Sequence, residues 1–489
     1  MMNVRPKSKM RFLTYRLHWA EQLFIKYRKH LKYIQLAMFF AFLYLVIAPL
    51  FSTRPTFDDT ILTSTILLSQ FLFWGLWYGA CLFSVIIFGR LWCGALCPLG
   101  ALSEWVGLIG LKKPLPKWVQ WDGWLVILFT VVTILGQTMD VRDDAWGLAK
   151  LFLYIFSLAI IVGYLFGQHG GRPWCRYFCP IGKILGVVSR LSIINFMPNN
   201  GVKEKPASQP SYIQGRLCPT DYNLPYKNSS NNCITCGACV SDKKKAGLGI
   251  YLQKPAQEAK YILLNQPNKY EILFILISPG LAAGGFLWLI LHQYQVLRDS
   301  VGGWFMAHNI FSIFNQASSF ISSQAWNQHF TWFDVGLITS YMLGYGIIVG
   351  ILSALLLAAS AWLVVERKHN FKKAFILLTY QCIPIAILSI VIGLCGKFFE
   401  VMHHDFGLSL KIAAMIKFSL LLGSMLWSLW LTATVIFGLI RQINLRFCLS
   451  LTFILLYIAM IFYLWWPATL GHAYMSEVEK IRQHIVIPK

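Results

Sequence analysis

The chain has 489 residues, 57% hydrophobic and only 13% charged, with a formal net charge of +23. Soluble proteins carry about 25% charged residues, so this composition excludes a soluble globular domain and excludes disorder; it reads as an integral membrane protein. The basic surplus follows loop topology rather than forming one patch, so the partner it implies is the lipid bilayer and not nucleic acid.

Residues 1–32 hold nine Lys/Arg against one acid and read as a basic cytoplasmic N-terminal arm attracted to anionic lipid. Within it, residues 11–30 suit a helix lying on the membrane surface. No short apolar core followed by a small-residue cleavage site is visible, so the first apolar run reads as a signal-anchor helix. Apolar runs of bilayer-spanning length recur at about 33–51, 66–88, 123–139, 148–167, 270–292, 336–364, 375–398, 412–440 and 447–468. The expected fold is therefore an all-α polytopic membrane protein of about nine transmembrane helices, with a small loop-rich ferredoxin-like cytoplasmic module.

Residues 33–190 form a hairpin repeat. "GRLWCGALCPLG" (Gly89–Gly100) returns 82 positions later as "GRPWCRYFCPIG" (Gly171–Gly182), with seven of twelve residues identical. Such a repeat suggests pseudo-symmetry. Residues 191–269 are the long polar stretch and read as the inside module. Residues 270–489 are a second transmembrane block without a motif of known chemistry. Segment 168–269 carries fourteen Lys/Arg against four acids, whereas "TMDVRDDAWG" on the other side is acidic. This alternation predicts that the N-terminus and the cysteine motifs lie on the cytoplasmic side of the membrane.

Of twelve cysteines, Cys81, Cys382, Cys395 and Cys448 stand singly in or beside apolar runs and read as small hydrophobes. The other eight fall on the reducing face, where disulfides are disfavoured and clustered thiols call for a metal. In "CITCGAC", Cys233, Cys236 and Cys239 have the two-residue gaps of the ferredoxin run, and Cys218, followed by proline, offers a fourth thiolate. The pairs Cys93/Cys97 and Cys175/Cys179 each supply two ligands and need one another to complete four. Two [4Fe-4S] clusters account for all eight. Partner exchange among Cys97, Cys179 and Cys218 remains open, and so does a zinc site held by the four cysteines of the module.

Two Cys-x3-Cys-Pro motifs closing transmembrane hairpins, followed by a ferredoxin-like cysteine run, resemble the membrane-bound polyferredoxins of the NapH, NosR and CcoG type. The "CPT" at Cys218 ahead of "CITCGAC" looks most like the CcoG branch. Lys243 stands where that pattern has a cysteine, which favours one cluster in the module. The resemblance covers about residues 60–250 and implies electron transfer with a quinone pool, a cytoplasmic donor or a partner redox protein.

Arg90 and Arg172 precede their cysteine pairs by three residues; they read either as positively charged helix ends or as donors to a cluster. Trp92 and Trp174 read as interfacial belt residues or as shields. The glycines ending each motif allow close backbone approach. Beyond the cysteines, Met306, His308, Met402, His403 and His404 offer soft and imidazole ligands near the opposite face, with His292, His329 and His472 close to it. Interfacial polar residues, copper, haem b and a quinol pocket are the alternatives there, and Glu400 and Asp405 suit proton release from a quinol. No nucleophile–base pair or phosphate loop is visible, so no catalytic residue is named. The function expected is an iron-sulfur electron-transfer protein. A cupric reductase or oxidase-assembly factor handling copper is the alternative, and a zinc-stabilised structural membrane protein is the second.

Overall fold

The computed structural model describes residues 15–53, 55–56, 58–168, 171–199, 218–241, 248–322, 330–365 and 370–471. Lys243, His329, His472 and the first fourteen residues of the basic arm lie outside the described residues. Among the described residues, eight helices are long and apolar enough to cross a membrane. They are α1 (His18–Phe51), α2 (Thr65–Phe88), α5 (Ala145–Phe166), α7 (Lys269–Ile290), α9 (Trp332–Val364), α10 (Phe371–Leu394), α12 (Leu410–Ile440) and α13 (Leu445–Leu470). The third of the nine expected spans is the shorter apolar helix α4 (Trp124–Thr138, 15 residues). Four further helices matter below: α3 (Pro98–Ile109), α6 (Pro180–Val188), α8 (His292–Ala307) and α11 (Gly396–His404).

Helix starts are marked by side chains that accept the first free backbone N–H groups. Asn268 caps α7, Asn444 caps α13 and Ser64 caps α2. Thr331 and Asp334 form a reciprocal capping box at α9: Asp334 N–H donates to Thr331 Oγ1 at 3.2 Å, and Thr331 N–H to Asp334 Oδ2 at 3.1 Å.

The chain divides into two compact units. The first comprises Met1–Phe40, Phe83–Trp121 and Leu158–Gln266. Its small sheet has the order β1–β3–β2, with β1 (Tyr15–Arg16) and β2 (Ile194–Pro198) both antiparallel to β3 (Leu248–Leu252). The register pairs Phe196 with Ile250 and Tyr15 with Leu252. Leu17, Phe196, Leu224, Cys239, Val240, Leu248 and Ile250 form its core, with Ala20 and Phe24 packed against it. The start of α1 therefore packs Leu17, Ala20 and Phe24 on the module, while Trp19, Leu23, Ile25 and Tyr27 remain exposed. Glu21 fixes it there: fully buried, it accepts from Arg16 Nε at 2.8 Å and from Ile250 N–H at 3.1 Å.

The second unit comprises Ala41–Leu82, Asp122–Ser157 and Pro267–Lys489. Helix α7 packs along α9 and α10, and α9 also packs along α13. Residues Ile383–Ile392 of α10 are all buried, which makes it the central helix of this unit. An aromatic nest around Phe42 joins Phe73, Trp77, Phe152 and Phe156, with ring centroids 4.7–5.7 Å from Phe42. Such edge-to-face contacts stabilise packing where lipid supplies no hydrophobic drive between helices.

Candidate metal centre

All eight clustered cysteines, with Arg90 and Arg172, lie in the first unit. Each Cys-x3-Cys segment folds as a single π-turn, Trp92–Leu96 and Trp174–Phe178. The turns close when Cys97 N–H donates to Trp92 O at 2.9 Å and Cys179 N–H to Trp174 O at 2.8 Å. Such one-turn π segments recur at functional sites because they shift side chains off the α register.

Cys97 and Cys179 then act as N-caps. Each has extended backbone geometry and is followed by proline at the first helical position, Pro98 of α3 and Pro180 of α6. Proline suits that position because its missing N–H would be unpaired there. The cysteine sulfur in turn sits at a helix start, where free N–H groups and the helix dipole favour a thiolate. Gly182 N–H donates to Cys179 Sγ at 3.2 Å.

Burial opposes ionisation of these thiols in the bare chain. It pushes Cys97 up to about 11, with the Cys93 thiol adding to the effect and the N–H groups of Gly100 and Leu99, with Arg172, opposing it. Cys179 is pushed up to about 12 by burial and then by Cys97 and Cys93. Cys175 is raised by burial and by Cys97, Cys179 and Cys93. Each motif's thiols thus feel the other motif's thiols.

The arginines cross over between repeats. Arg90 Nη2 donates to the carbonyl of Cys175 at 3.2 Å, and Arg172 Nη1 donates to the carbonyl of Cys93 at 2.8 Å. Arg90 Nη1 also reaches Asn231 O at 2.7 Å, two residues before Cys233. Arg172 Nε pairs with Glu104 Oε2 at 2.6 Å. Both guanidinium groups are buried. The last glycine of each motif makes room for this exchange. A Cβ on Gly100 would stand 2.9 Å from Cys175 Sγ and 3.3 Å from Arg172 Nη1. A Cβ on Gly182 would stand 2.9 Å from Arg90 Nη2 and 3.2 Å from Cys175 O.

The second group follows the same logic with looser means. Cys218, Cys233, Cys236 and Cys239 line one small cavity, together with Phe196 and Tyr222. Burial pushes Cys236 up to about 11, then Cys218 adds to it, while Ala238 N–H, Arg172 and Arg28 oppose. Cys218 and Cys239 are raised by burial as well, and Cys239 also by its three partner thiols. The first motif touches this group directly: a Cβ on Gly94 would meet Cys236 Cα at 2.9 Å. Gln35 Nε2, from α1, donates to Gly94 O at 3.0 Å.

The residues fit a [4Fe-4S] cluster on two grounds. The donor sets are four thiols each, with a neutralising cationic environment. Arg90 Nε, Trp174 Nε1 and Thr235 Oγ1 are buried donors without a protein acceptor, which suits a group bearing sulfide acceptors.

Comparison with known proteins agrees. Residues 70–116 and 150–195 match the family described as a 4Fe-4S binding domain, one match over each motif. An uncharacterized protein of Methanocaldococcus jannaschii is 27% identical over 170 residues, 33% of this chain and 64% of that protein. YccM of Escherichia coli is 27% identical over 206 residues, 37% of this chain and 56% of its own length. The ferredoxin-type protein NapH of Escherichia coli is 22% identical over 179 residues, 31% and 58%. This chain is similar to membrane-bound 4Fe-4S ferredoxin-type proteins over its two matched stretches. It spans less than two thirds of the length of these relatives. No solved structure matches it. The ferredoxin-type matches hold Cys93, Cys97, Cys175 and Cys179; Cys218–Cys239 lie beyond them.

Other sequence-singled residues of this ferredoxin-type chain are placed as follows. Trp174 is 2% exposed, so it is no belt residue; Trp92 is half-buried. The histidines of the opposite group are engaged locally rather than with one another. His308 Nδ1 lies 2.8 Å from Trp304 O and stacks on that ring, and Met306 is exposed. His403 Nδ1 lies 2.8 Å from Leu408 O, and His404 Nδ1 lies 2.7 Å from Asp405 Oδ1. Met402, half-buried, directly precedes them on α11. Glu104, Asn231 and Gln35 carry no local sequence signal and are the residues that sequence reasoning missed.

Proposed function

We propose that the protein is a membrane-bound electron carrier holding two [4Fe-4S] clusters, one on Cys93, Cys97, Cys175 and Cys179, the other on Cys218, Cys233, Cys236 and Cys239. The observation that carries this reading is the crossed pair of arginines, which ties the two cysteine motifs into one four-thiol set. A cluster on either set supplies a one-electron couple. The chain's own residues do the rest. Buried Arg90 and Arg172 offset the charge of the thiolates, the helix starts at Cys97 and Cys179 orient two of them, and Trp174 and Phe196 keep water away.

Electrons then move between a quinone pool or a cytoplasmic donor and a partner redox protein, with the cysteine face directed to the cytoplasm of a bacterial inner membrane. The Lys/Arg distribution supports that orientation. The four domains follow the sequence reading: basic arm 1–32, hairpin repeat 33–190, Fe-S module 191–269 and second block 270–489.

The test is iron and acid-labile sulfide content of anaerobically purified protein, with EPR of the dithionite-reduced sample. About eight iron per chain and a cubane signal are expected. Zinc without iron overturns the reading. C175S losing one cluster's iron while C239S loses the other's would support the division into two sets; both variants losing the same iron overturns it.

A further inference from the structure

The second unit contains a cleft of about 120 Å3, lined by Arg142, Glu400 and Lys417 against apolar walls that include Phe286, Phe399 and Ala413. All of these residues belong to the second unit. Concave sites with apolar walls and a few convergent polar groups are the usual form of small-molecule sites. The charges around it form a chain. Arg142 Nε pairs with Asp143 Oδ2 at 2.9 Å, Lys397 pairs with Asp143, and Lys397 Nζ pairs with Glu400 Oε2 at 2.8 Å.

Lys417 stands apart from this chain. It sits in the spanning helix α12, with Nζ 5.0 Å from the Phe399 ring centroid, and makes no ion pair among the described residues. A lysine in a transmembrane segment normally faces a counter-charge or a ligand. Three cations (Arg142, Lys397, Lys417) gather with the paired carboxylates Asp143 and Glu400, and Glu400 is the carboxylate that attracts Lys417 across the cleft. Asp140 borders the same cluster, and burial with Asp143 pushes its carboxyl up to about 7, so it exchanges a proton near neutrality.

We propose that this cleft binds the head group of a quinone. The ring lies against Phe286 and Phe399, Lys417 and Arg142 donate to its carbonyl oxygens, and Glu400 accepts from the hydroxyl of the reduced form. Glu400 on the wall disfavours an anionic phosphate, which is why a neutral acceptor fits better than a phospholipid head. The inference rests on the reading of the protein as a quinone-linked carrier and gives that link a place in residues 270–489, the block to which the sequence assigned no role.

The probe is decylubiquinone, bound to the purified full-length protein in detergent and followed by quenching of tryptophan fluorescence. The variants are K417Q, the cleft-filling A413W, and K411Q as a control at an exposed position of α12. At least tenfold weaker binding is expected for K417Q and A413W, with K411Q unchanged. Equal binding by wild type, K417Q and A413W overturns the site. If a variant does not fold, an azidoquinone cross-linked to the wild type decides: label within residues 396–417 supports the site, and label elsewhere only overturns it. Displacement of the quinone by an equal amount of phosphatidylglycerol overturns it too. A wild type that shows the cluster EPR signal but binds no quinone sinks this site while leaving the clusters standing. A protein that binds quinone here but holds no iron sinks the cluster reading alone.

Discussion

Arg172 Nη1 donates to the carbonyl oxygen of Cys93 at 2.8 Å, and its Nε holds Glu104 at 2.6 Å. Arg172 also acts electrostatically on Cys175 of the first group and on Cys236 of the second. One buried guanidinium thus stands beside both thiol sets. Its pseudo-symmetric counterpart, Arg90, returns the contact to Cys175 O at 3.2 Å. The two motifs are thus joined by exchange, each arginine reaching a carbonyl of the other motif.

Removing that charge should make the clusters harder to reduce, because reduction adds negative charge beside it. R172Q is expected to lower a cluster potential by on the order of 60 mV, a tenfold shift of a one-electron equilibrium. E104Q, which removes the opposing carboxylate, should shift it upward. Redox-poised EPR measures both. Shifts of the same sign in the two variants would show that the pair acts through packing rather than charge.

Much of this was readable beforehand, and the reasons for the rest are physical. Apolar length marked the spans, and cysteine spacing suggested two sets of four with the exchange of Cys97, Cys179 and Cys218 left open. The step from Cys97 to Pro98 was visible as a motif, but that the cysteine caps a helix depends on the π-turn before it, and no periodicity encodes a π-turn. Arg90 and Arg172 were visible as repeated residues, yet their partners lie 85 and 79 positions away. Lys417 is one charge in a long apolar run, and its setting needs helices far apart in sequence.

The motif glycines give a packing test. G100A and G182A push a methyl to 2.9 Å from Cys175 Sγ and Arg90 Nη2 respectively. Overpacking of this kind costs about 1–3 kcal/mol, and here it strikes the ligand set, so loss of iron should accompany loss of stability. Gly303 in α8 has nothing within 4 Å of its Cβ position. G303A should be neutral or stabilising by up to about 1 kcal/mol, since alanine is the better helix former. Thermal unfolding with iron content on each variant checks the contrast, and equal behaviour of G100A and G303A would refute it.

Arg190 and Glu258 form the other buried device of the first unit. Arg190 Nη1 donates to Glu258 Oε1 at 2.6 Å and to Asn265 O at 2.6 Å, while Ser230 N–H donates to Glu258 Oε1 and Oε2, both at 3.1 Å. Ser230 O in turn accepts from Cys233 N–H at 2.9 Å, so the pair supports the second cysteine run. E258A leaves the guanidinium without its carboxylate and should cost about 3–5 kcal/mol. The double variant R190M/E258L should recover part of that loss. Denaturant unfolding of R190M, E258L and the double variant measures the coupling; purely additive losses would exclude it.

Asp140 carries a pH dependence of the second unit. Burial first, then Asp143, raises its carboxyl from 3.8 to about 7 in the folded chain. A raised acid pKa means that the folded chain holds the proton more tightly than the unfolded chain. That contribution is complete below about pH 4 and is lost as the pH climbs to about 7. Asp140 also has a positive φ of 49°, a conformation that asparagine tolerates as well as aspartate. D140N should therefore fold in the same geometry and stay neutral at every pH. The expected result is a melting temperature for D140N above wild type at about pH 8, with the two converging near pH 4 as the wild-type carboxyl takes up its proton. A wild-type stability that rises relative to D140N as the pH climbs through this window would show that Asp140 stays ionised in the folded chain and that Arg142 and Lys397 outweigh its burial.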